Sequence, residues 1–146
     1  MQQQGLRRSA LLCLLVVAIL WTLPAAPAGS LAVGLPPDVA KQGVAIGYTV
    51  NADSVDIARD HALQQCRTFE HTSDLARSLC KTIDTFTNRC VAVALDPADG
   101  TPGVGWAIDA DQQTAEKRAQ ANCEATAGAS RRSYCKIMAS RCDTKG

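Results

Sequence analysis

The sequence predicts an α+β domain made of two ββαβ repeats, with about six strands and two helices held together by disulfides. Three observations predict this fold. The phrase at residues 47–53 returns at 105–111, alternating apolar runs lie at 31–35 and 91–95, and the cysteines follow in the same order in both halves. The spacing between equivalent landmarks falls steadily, from Leu31 and Val91 at the start of the repeats to Cys90 and Cys142 at the end. Such a steady drift is typical of loop deletions in a duplicated unit.

Residues 1–28 are predicted to be a secretory signal peptide. A short basic start precedes an apolar run at 10–23, and Ala26-Pro27-Ala28 supplies the small residues of a cleavage site. The run is shorter than the about 20 residues that span a membrane. We therefore expect cleavage after Ala28 and no integral membrane segment afterwards. Cys13 lies inside the run and is interpreted as part of the signal peptide rather than as a lipoprotein cysteine.

The remainder of the chain, 29–146, is predicted to form a single domain whose repeats span 31–90 and 91–142. Loss of Arg7 and Arg8 changes the formal net charge from +1 to −1. The remaining chain is not basic overall, so its charge does not indicate nucleic acid as a partner. The segment 115–146 is nevertheless basic, with seven basic and three acidic side chains. This end either meets an acidic partner or is a solvated face.

Six cysteines remain after the predicted cleavage and indicate a disulfide framework in an oxidising compartment. They are Cys66, Cys80, Cys90, Cys123, Cys135 and Cys142. No Cys-x-x-Cys occurs and the sequence holds two histidines, so it predicts neither a zinc site nor a thioredoxin-like redox pair. No metal and no cofactor are expected.

Each repeat begins with two short strands, predicted at 31–35 and 44–50 in the first copy and at 91–95 and 104–108 in the second. Side chains alternate across a strand, so the apolar residues gather on one face. We interpret this face as the core. It carries Leu31, Val33, Leu35, Ile46, Tyr48 and Val50, and in the second copy Val91, Val93, Leu95, Val104, Trp106 and Ile108.

A helix and a third strand complete the repeat. Ser54 and Asp111 stand at the same distance before a cysteine, Cys66 or Cys123, and are predicted to cap the amino-terminal ends of the two helices. The apolar stripe of each helix is rich in alanine, which lets a helix approach a sheet closely. The third strands are predicted at 80–83 and 135–138, after polar loops.

Three cysteines per repeat is an odd number, so at least one bridge is expected to join the repeats if all six pair. Sequence alone cannot choose among the possible pairings. The internal symmetry favours Cys66–Cys80, Cys123–Cys135 and Cys90–Cys142, in which the first two staple each helix to the following strand.

With these landmarks placed, the chain resembles domain-of-unknown-function family 4189, a family of small exported bacterial proteins. The residues that carry the resemblance are Gly47-Tyr48, 54–66, Cys80-Lys81 and 90–94, followed by Gly105-Trp106, 111–123, Cys135-Lys136 and Cys142. The chain departs from the family in its long loop at 67–79 and its short tail. The resemblance implies an envelope or secreted role and brings no catalytic residues with it. Some similar small exported proteins are inhibitors of antibacterial enzymes or immunity proteins against them.

The residues that could be catalytic, metal-binding or sugar-binding can each be explained by a structural role instead. His61 is interpreted as an exposed helix residue, because no nucleophile and orienting acid accompany it. The Asp109-x-Asp111 pair lacks the later ligands of a calcium loop and is interpreted as a strand-end turn with a helix cap. Tyr48 and Trp106 could stack on a sugar, but their alternation places them with the core.

The sequence therefore predicts a non-enzymatic protein that binds another protein. The expected contact regions are the segments in which the repeats differ, the loop 67–79 and the basic stretch 131–136. The residues expected to contact the partner are Glu70, His71, Arg131, Arg132 and Lys136. The partner is expected to be an envelope or secreted enzyme. Two alternatives stay open: a structural or ligand-carrying envelope component, and a small hydrolase using His61 or His71.

Overall fold

A computed structural model describes residues 26–144. The predicted signal peptide lies outside the described residues, apart from its carboxyl-terminal end at 26–28. The strands are β1 Ala28–Gly34, β2 Ala45–Ala52, β3 Lys81–Phe86, β4 Cys90–Leu95, β5 Val104–Asp109 and β6 Lys136–Cys142. The helices are α1 Val39–Gln42, α2 Val55–Arg67, α3 Asp74–Ser78 and α4 Gln112–Ala127, with a 3-10 turn at Arg132–Tyr134.

Each repeat forms its own three-stranded antiparallel sheet, with the first strand of the repeat in the middle. The strand orders are β2-β1-β3 and β5-β4-β6. One long helix, α2 or α4, follows the second strand of each sheet, so the predicted α+β fold of two ββαβ repeats is confirmed. Ser54 and Asp111 cap these helices by accepting hydrogen bonds from the amides of Ile57 and Thr114. The short helices α1 and α3 lie in segments predicted as a turn and a loop.

The two sheets pack face to face through the apolar face predicted from the alternation. This central core draws on both repeats and contains Leu31, Val33, Val44, Ile46, Phe86, Val91, Val93 and Val104. Tyr48 and Trp106 are half-buried against it. The prediction is wrong at Leu35, which is 47% exposed because β1 ends one residue earlier, at Gly34.

The opposite face of each sheet is also buried, and it packs against that repeat's own helix. Alanine and cysteine make up these two layers, for example Ala32, Ala62 and Cys66 in the first repeat and Ala92 and Cys123 in the second. The domain is therefore layered helix, sheet, sheet, helix. Short side chains at these positions let the helix backbones lie close to the sheets.

Three disulfides follow the pairing that symmetry favours: Cys66–Cys80, Cys123–Cys135 and Cys90–Cys142. Cys90–Cys142 joins the predicted repeats 31–90 and 91–142, as expected, but in the structure it connects two strands of one sheet. Cys90 is the first residue of β4 and faces Cys142 on the neighbouring β6, so this bond lies within the second sheet. The two sheets are thus held to each other by apolar packing and by the tail after β6.

Side chains of the long helices bond to the backbone of an edge strand in both sheets. On β2 the amide of Tyr48 donates to Gln65 at 3.3 Å, and on β5 the carbonyl of Trp106 accepts from Asn122 at 2.9 Å. Helix side chains thereby occupy backbone groups that another strand would use. These bonds leave fewer backbone groups free to pair with another strand.

The third strands carry bulges at equivalent positions. The register of β3 against β1 skips Ile83, and the register of β6 against β4 skips Met138. A bulge interrupts the regular edge and turns the extra side chain outward. Ile83 is 38% exposed and Met138 is 57% exposed, so both bulges present an apolar side chain to solvent.

The tail after β6 connects the two repeats through the buried carboxylate of Asp143. Its oxygens accept from the amides of Asn51 at 2.8 Å and Asn88 at 3.2 Å, and its own amide donates to Arg89. Asn51 and Asn88 have φ values of 58° and 52°, the left-handed region that asparagine tolerates better than most residues. Asp143 therefore secures two turns of the first repeat to the carboxyl terminus.

We expect Asp143→Ala to lower the free energy of unfolding by about 2–3 kcal/mol, because the amides of Asn51 and Asn88 lose their buried acceptor. Asp143→Asn keeps one acceptor oxygen and should cost less. Urea unfolding followed by circular dichroism measures both, with exposed Asp60→Ala as the control. A loss for Asp143→Ala no larger than that of the control would contradict this role.

Candidate binding cleft

A cleft of about 710 Å³ lies at the end of the sandwich where loops of both repeats meet. The first repeat contributes residues 39–44, around α1, and residues 69–73 of the loop between α2 and α3. The second repeat contributes the β4–β5 connection, and β6 adds Met138 from its bulge. In an antiparallel ββα unit the helix ends at the same end of the sheet as the loop between the first two strands. Each repeat therefore has two loops at this end: the loop between its first two strands and the loop after its long helix.

The loop 67–79 is anchored on the β1–β2 connection. The carbonyl of Gln42 accepts from the amide of Ser73 at 3.1 Å and from the hydroxyl of Thr72 at 3.2 Å. Within the loop, Arg77 donates to the carbonyls of Phe69 and Thr72. These bonds hold the cleft-lining part of the loop in one position.

The corresponding loops of the second repeat are held by an ion pair between Asp96 and Arg131. The Nε and Nη2 atoms of Arg131 lie 2.5 and 2.8 Å from the two carboxylate oxygens of Asp96, whose side chain is fully buried. The Arg131 guanidinium also stacks 4.3 Å from the ring centre of Tyr134. The hydrogen bond from Arg131, helped by one from the amide of Ala98, lowers the pKa of Asp96 to about 2 against the opposing effect of burial.

This ion pair predicts a pH effect. The pKa of Asp96 in the folded protein, about 2, lies below its ordinary value of 3.8, so ionised Asp96 stabilises the fold above pH 3.8 and this contribution is lost as the pH falls towards 2. Wild-type protein should therefore lose more stability than Asp96→Asn between pH 5 and about pH 2. Urea midpoints at the two pH values measure this, with Asp60→Asn as control. Equal losses in wild type and Asp96→Asn would contradict it.

The lining of the cleft combines apolar surface with hydrogen-bond acceptors. Val44 is buried, and Phe69 and Leu95 are half-buried. Glu70 and Asp99 are exposed at the rim. A concave apolar surface with a few polar groups is typical of a binding site.

The structure brings some of the predicted contact residues together and leaves others apart. Glu70 and His71 line the cleft. Arg131 does not line the cleft but pairs with Asp96, which does. Arg132 and Lys136 are exposed residues that do not line it. Sequence reasoning missed Gln42 and Met138, and it interpreted Asp96 and Asp99 as acidic residues that favour solubility. Phe69 lies within the predicted contact loop 67–79. The Asp96-Pro97 turn was visible in the sequence, but nothing local linked it to Arg131.

The remaining candidates from the sequence have structural partners or lie elsewhere. Asp109 pairs with Arg118 at 2.5 Å, and Asp111 caps α4, which confirms the turn-and-cap interpretation. A second groove, of about 410 Å³, includes Trp106, but its Asn122 is already bonded to the strand backbone. His61 is exposed on α2 and lies outside both depressions.

Between residues 26 and 144, no group of three or more histidine, cysteine, aspartate or glutamate side chains is arranged to hold a metal ion. In the same part of the chain, the helices are too short or too polar to cross a membrane.

The structure is a small disulfide-linked α+β domain with a cleft formed by loops of both repeats. Comparison with family models gives a match over residues 29–142 to a family described as Domain of unknown function (DUF4189). The chain therefore belongs to the DUF4189 family. Comparison with curated proteins and with solved structures gives no significant match.

Proposed function

We propose that this protein is an exported, non-enzymatic domain that binds another protein through the cleft, and that it inhibits or gives immunity against an envelope-acting antibacterial enzyme. One observation carries the proposal: the two segments in which the repeats differ meet at the same end of the molecule. The loop 67–79 lines the cleft, and the stretch 131–136 reaches it through the bond of Arg131 to Asp96.

The architecture suits such a role. Each helix is fixed by a disulfide to the strand that follows it, and the intervening loop carries the divergent residues. A cross-linked scaffold orders its loops before binding, which lowers the entropic cost of association. Disulfides and the apolar amino-terminal run support export to an oxidising compartment.

Complementation of a deletion strain tests the proposal. Loss of the gene should make the host cell sensitive to an envelope-acting toxin of its neighbours, and wild-type protein should restore protection. Ala98→Trp places a large side chain at the cleft. It should lower the survival of challenged cells at least tenfold relative to cells with wild-type protein. Ala121→Trp makes the same change on the exposed face of α4 and should protect like wild type.

Equal protection by both tryptophan variants would contradict the cleft as the binding site. A deletion strain that stays insensitive to every neighbouring toxin would contradict the immunity role.

A second candidate, a ligand-carrying envelope component, is favoured by the size of the cleft. About 710 Å³ falls within the range of small-molecule sites. Native mass spectrometry of exported protein tests it: a retained lipid or glycan, lost in Ala98→Trp, would favour this role over protein binding.

A further inference from the structure

We infer that the cleft accepts a lysine or arginine side chain of the partner protein. This inference rests on the protein-binding function proposed above and names the chemistry of the partner's anchoring residue.

The first observation is an acceptor in the cleft lining that lacks a donor. The side-chain oxygen of Gln42, Oε1, is buried and has no hydrogen-bond partner among the described residues. The backbone carbonyl of Gln42 is held by Ser73 and Thr72, which fixes the part of the chain from which this side chain extends. An unsatisfied buried oxygen destabilises the folded protein, and a donor from a ligand would recover this loss.

The second observation is the charge of the cleft. Five ionisable side chains line it: Lys41, Glu70, His71, Asp96 and Asp99. Lys41 pairs with Asp38 at 3.1 Å, and Asp96 pairs with Arg131. Within residues 26–144, Glu70 and Asp99 have no such ion pair, which leaves two carboxylates at the rim that an incoming cation could neutralise.

The third observation is the apolar lining between these polar groups. Phe69 and Leu95, which are half-buried, offer surface for the methylene groups of a long side chain. Lysine and arginine have such a stem and end in a head that only donates hydrogen bonds. An aromatic ring beside the head adds attraction for a cation. A lysine or arginine side chain therefore matches the apolar lining, the acceptor and the charge, whereas an acidic or purely apolar residue would leave Gln42 without a donor and the two carboxylates without a cation.

Short peptides with one variable residue test this chemistry directly. The probes are acetyl-Gly-Arg-Gly-amide and its citrulline analogue, which has nearly the same shape without the charge. Nuclear magnetic resonance titration of the oxidised protein reads binding at the side-chain amide of Gln42 and the backbone amide of Gly100. We expect the arginine peptide to shift both signals and to bind at least about tenfold more tightly than the citrulline peptide.

Charge variants locate the interaction. Glu70→Gln/Asp99→Asn should weaken the arginine peptide about tenfold, to the level of the citrulline peptide. Asp60→Asn/Glu116→Gln removes the same charge from the two long helices and should leave binding unchanged. Equal affinity for the two peptides, or shifts confined to residues outside the cleft, would overturn the inference.

The complementation assay separates this inference from the proposed function. Full protection by Glu70→Gln/Asp99→Asn, together with loss of protection in Ala98→Trp, would overturn the cationic anchor while the protein-binding function stands. Selective binding of the arginine peptide with no protection by wild type would support the cleft chemistry and overturn the immunity role.

Discussion

Gly105→Ala should lower the free energy of unfolding by about 3 kcal/mol or more, because the new methyl group has no space to occupy. Gly105 lies on β5 where α4 crosses it. A Cβ atom there would lie 2.2 Å from the amide nitrogen of Cys123 and 2.3 Å from the carbonyl oxygen of Ala119. Both are helix backbone atoms, so the helix as a whole must move, and the disulfide from Cys123 to Cys135 opposes that movement.

The equivalent glycine of the first repeat should behave in the same way. A Cβ atom on Gly47 would lie 2.1 Å from the carbonyl oxygen of Ala62 and 2.4 Å from the amide nitrogen of Cys66. Gly100→Ala is the control, because its φ of 75° is strained for alanine but no atom lies within 4 Å of the new methyl group. It should cost only about 1–2 kcal/mol.

Urea unfolding of the three variants measures these costs. A loss below that of Gly100→Ala for either Gly47→Ala or Gly105→Ala would show that the helix does not lie directly on the strand.

Replacing Cys90 and Cys142 together by serine should lower the free energy of unfolding by about 4 kcal/mol in the chain-entropy model. This bond closes a loop with a sequence separation of 52 residues, whereas Cys123–Cys135 closes one of 12. The shorter loop should be worth about 3 kcal/mol, since the entropy of closure rises with the logarithm of loop length.

Thermal and urea unfolding of the two double-serine variants, each with the other bridges oxidised, tests this order. A larger loss for Cys123→Ser/Cys135→Ser would contradict it and would mean that native contacts near α4 outweigh loop length.

The sequence was sufficient to predict the repeated fold because each element carries a local signal. Alternation at 31–35 and 91–95 indicates strands, and Ser54 and Asp111 indicate helix starts. Internal symmetry favoured the disulfide pairing that the structure has, although sequence alone could not choose among the possible pairings. The burial of Ala62 and Ala119, each against a glycine, follows from their place on the apolar stripe of a helix.

The features that sequence reasoning missed depend on residues that are distant along the chain. Asp96 is 35 residues from Arg131, and Asn51 is 92 residues from Asp143. No local pattern marks either pair. The alanine-rich stripes predicted that each helix packs closely on a sheet, but they did not show how near the helix backbone comes to Gly47 and Gly105.

The candidate site was predicted in part for a physical reason. Segments that differ between repeats are free of the packing that fixes the common core, so the loop 67–79 could be singled out. That Glu70 shares a cleft with Asp99 could not be foreseen, since it depends on how the two sheets pack. Face-to-face packing through Val33 and Val93 brings the hairpin loops of both repeats to one end.

Site-specific photo-cross-linking tests most directly whether this end is the recognition surface. A benzophenone side chain replaces Met138, which lines the cleft, or Gln113, which is exposed in the first turn of α4. In cells challenged with the toxin, we expect an adduct between the Met138 variant and the toxin, lost when Ala98→Trp is added, and no adduct from the Gln113 variant. An adduct from Gln113 with none from Met138, or a Met138 adduct that persists with Ala98→Trp, would contradict binding through the cleft.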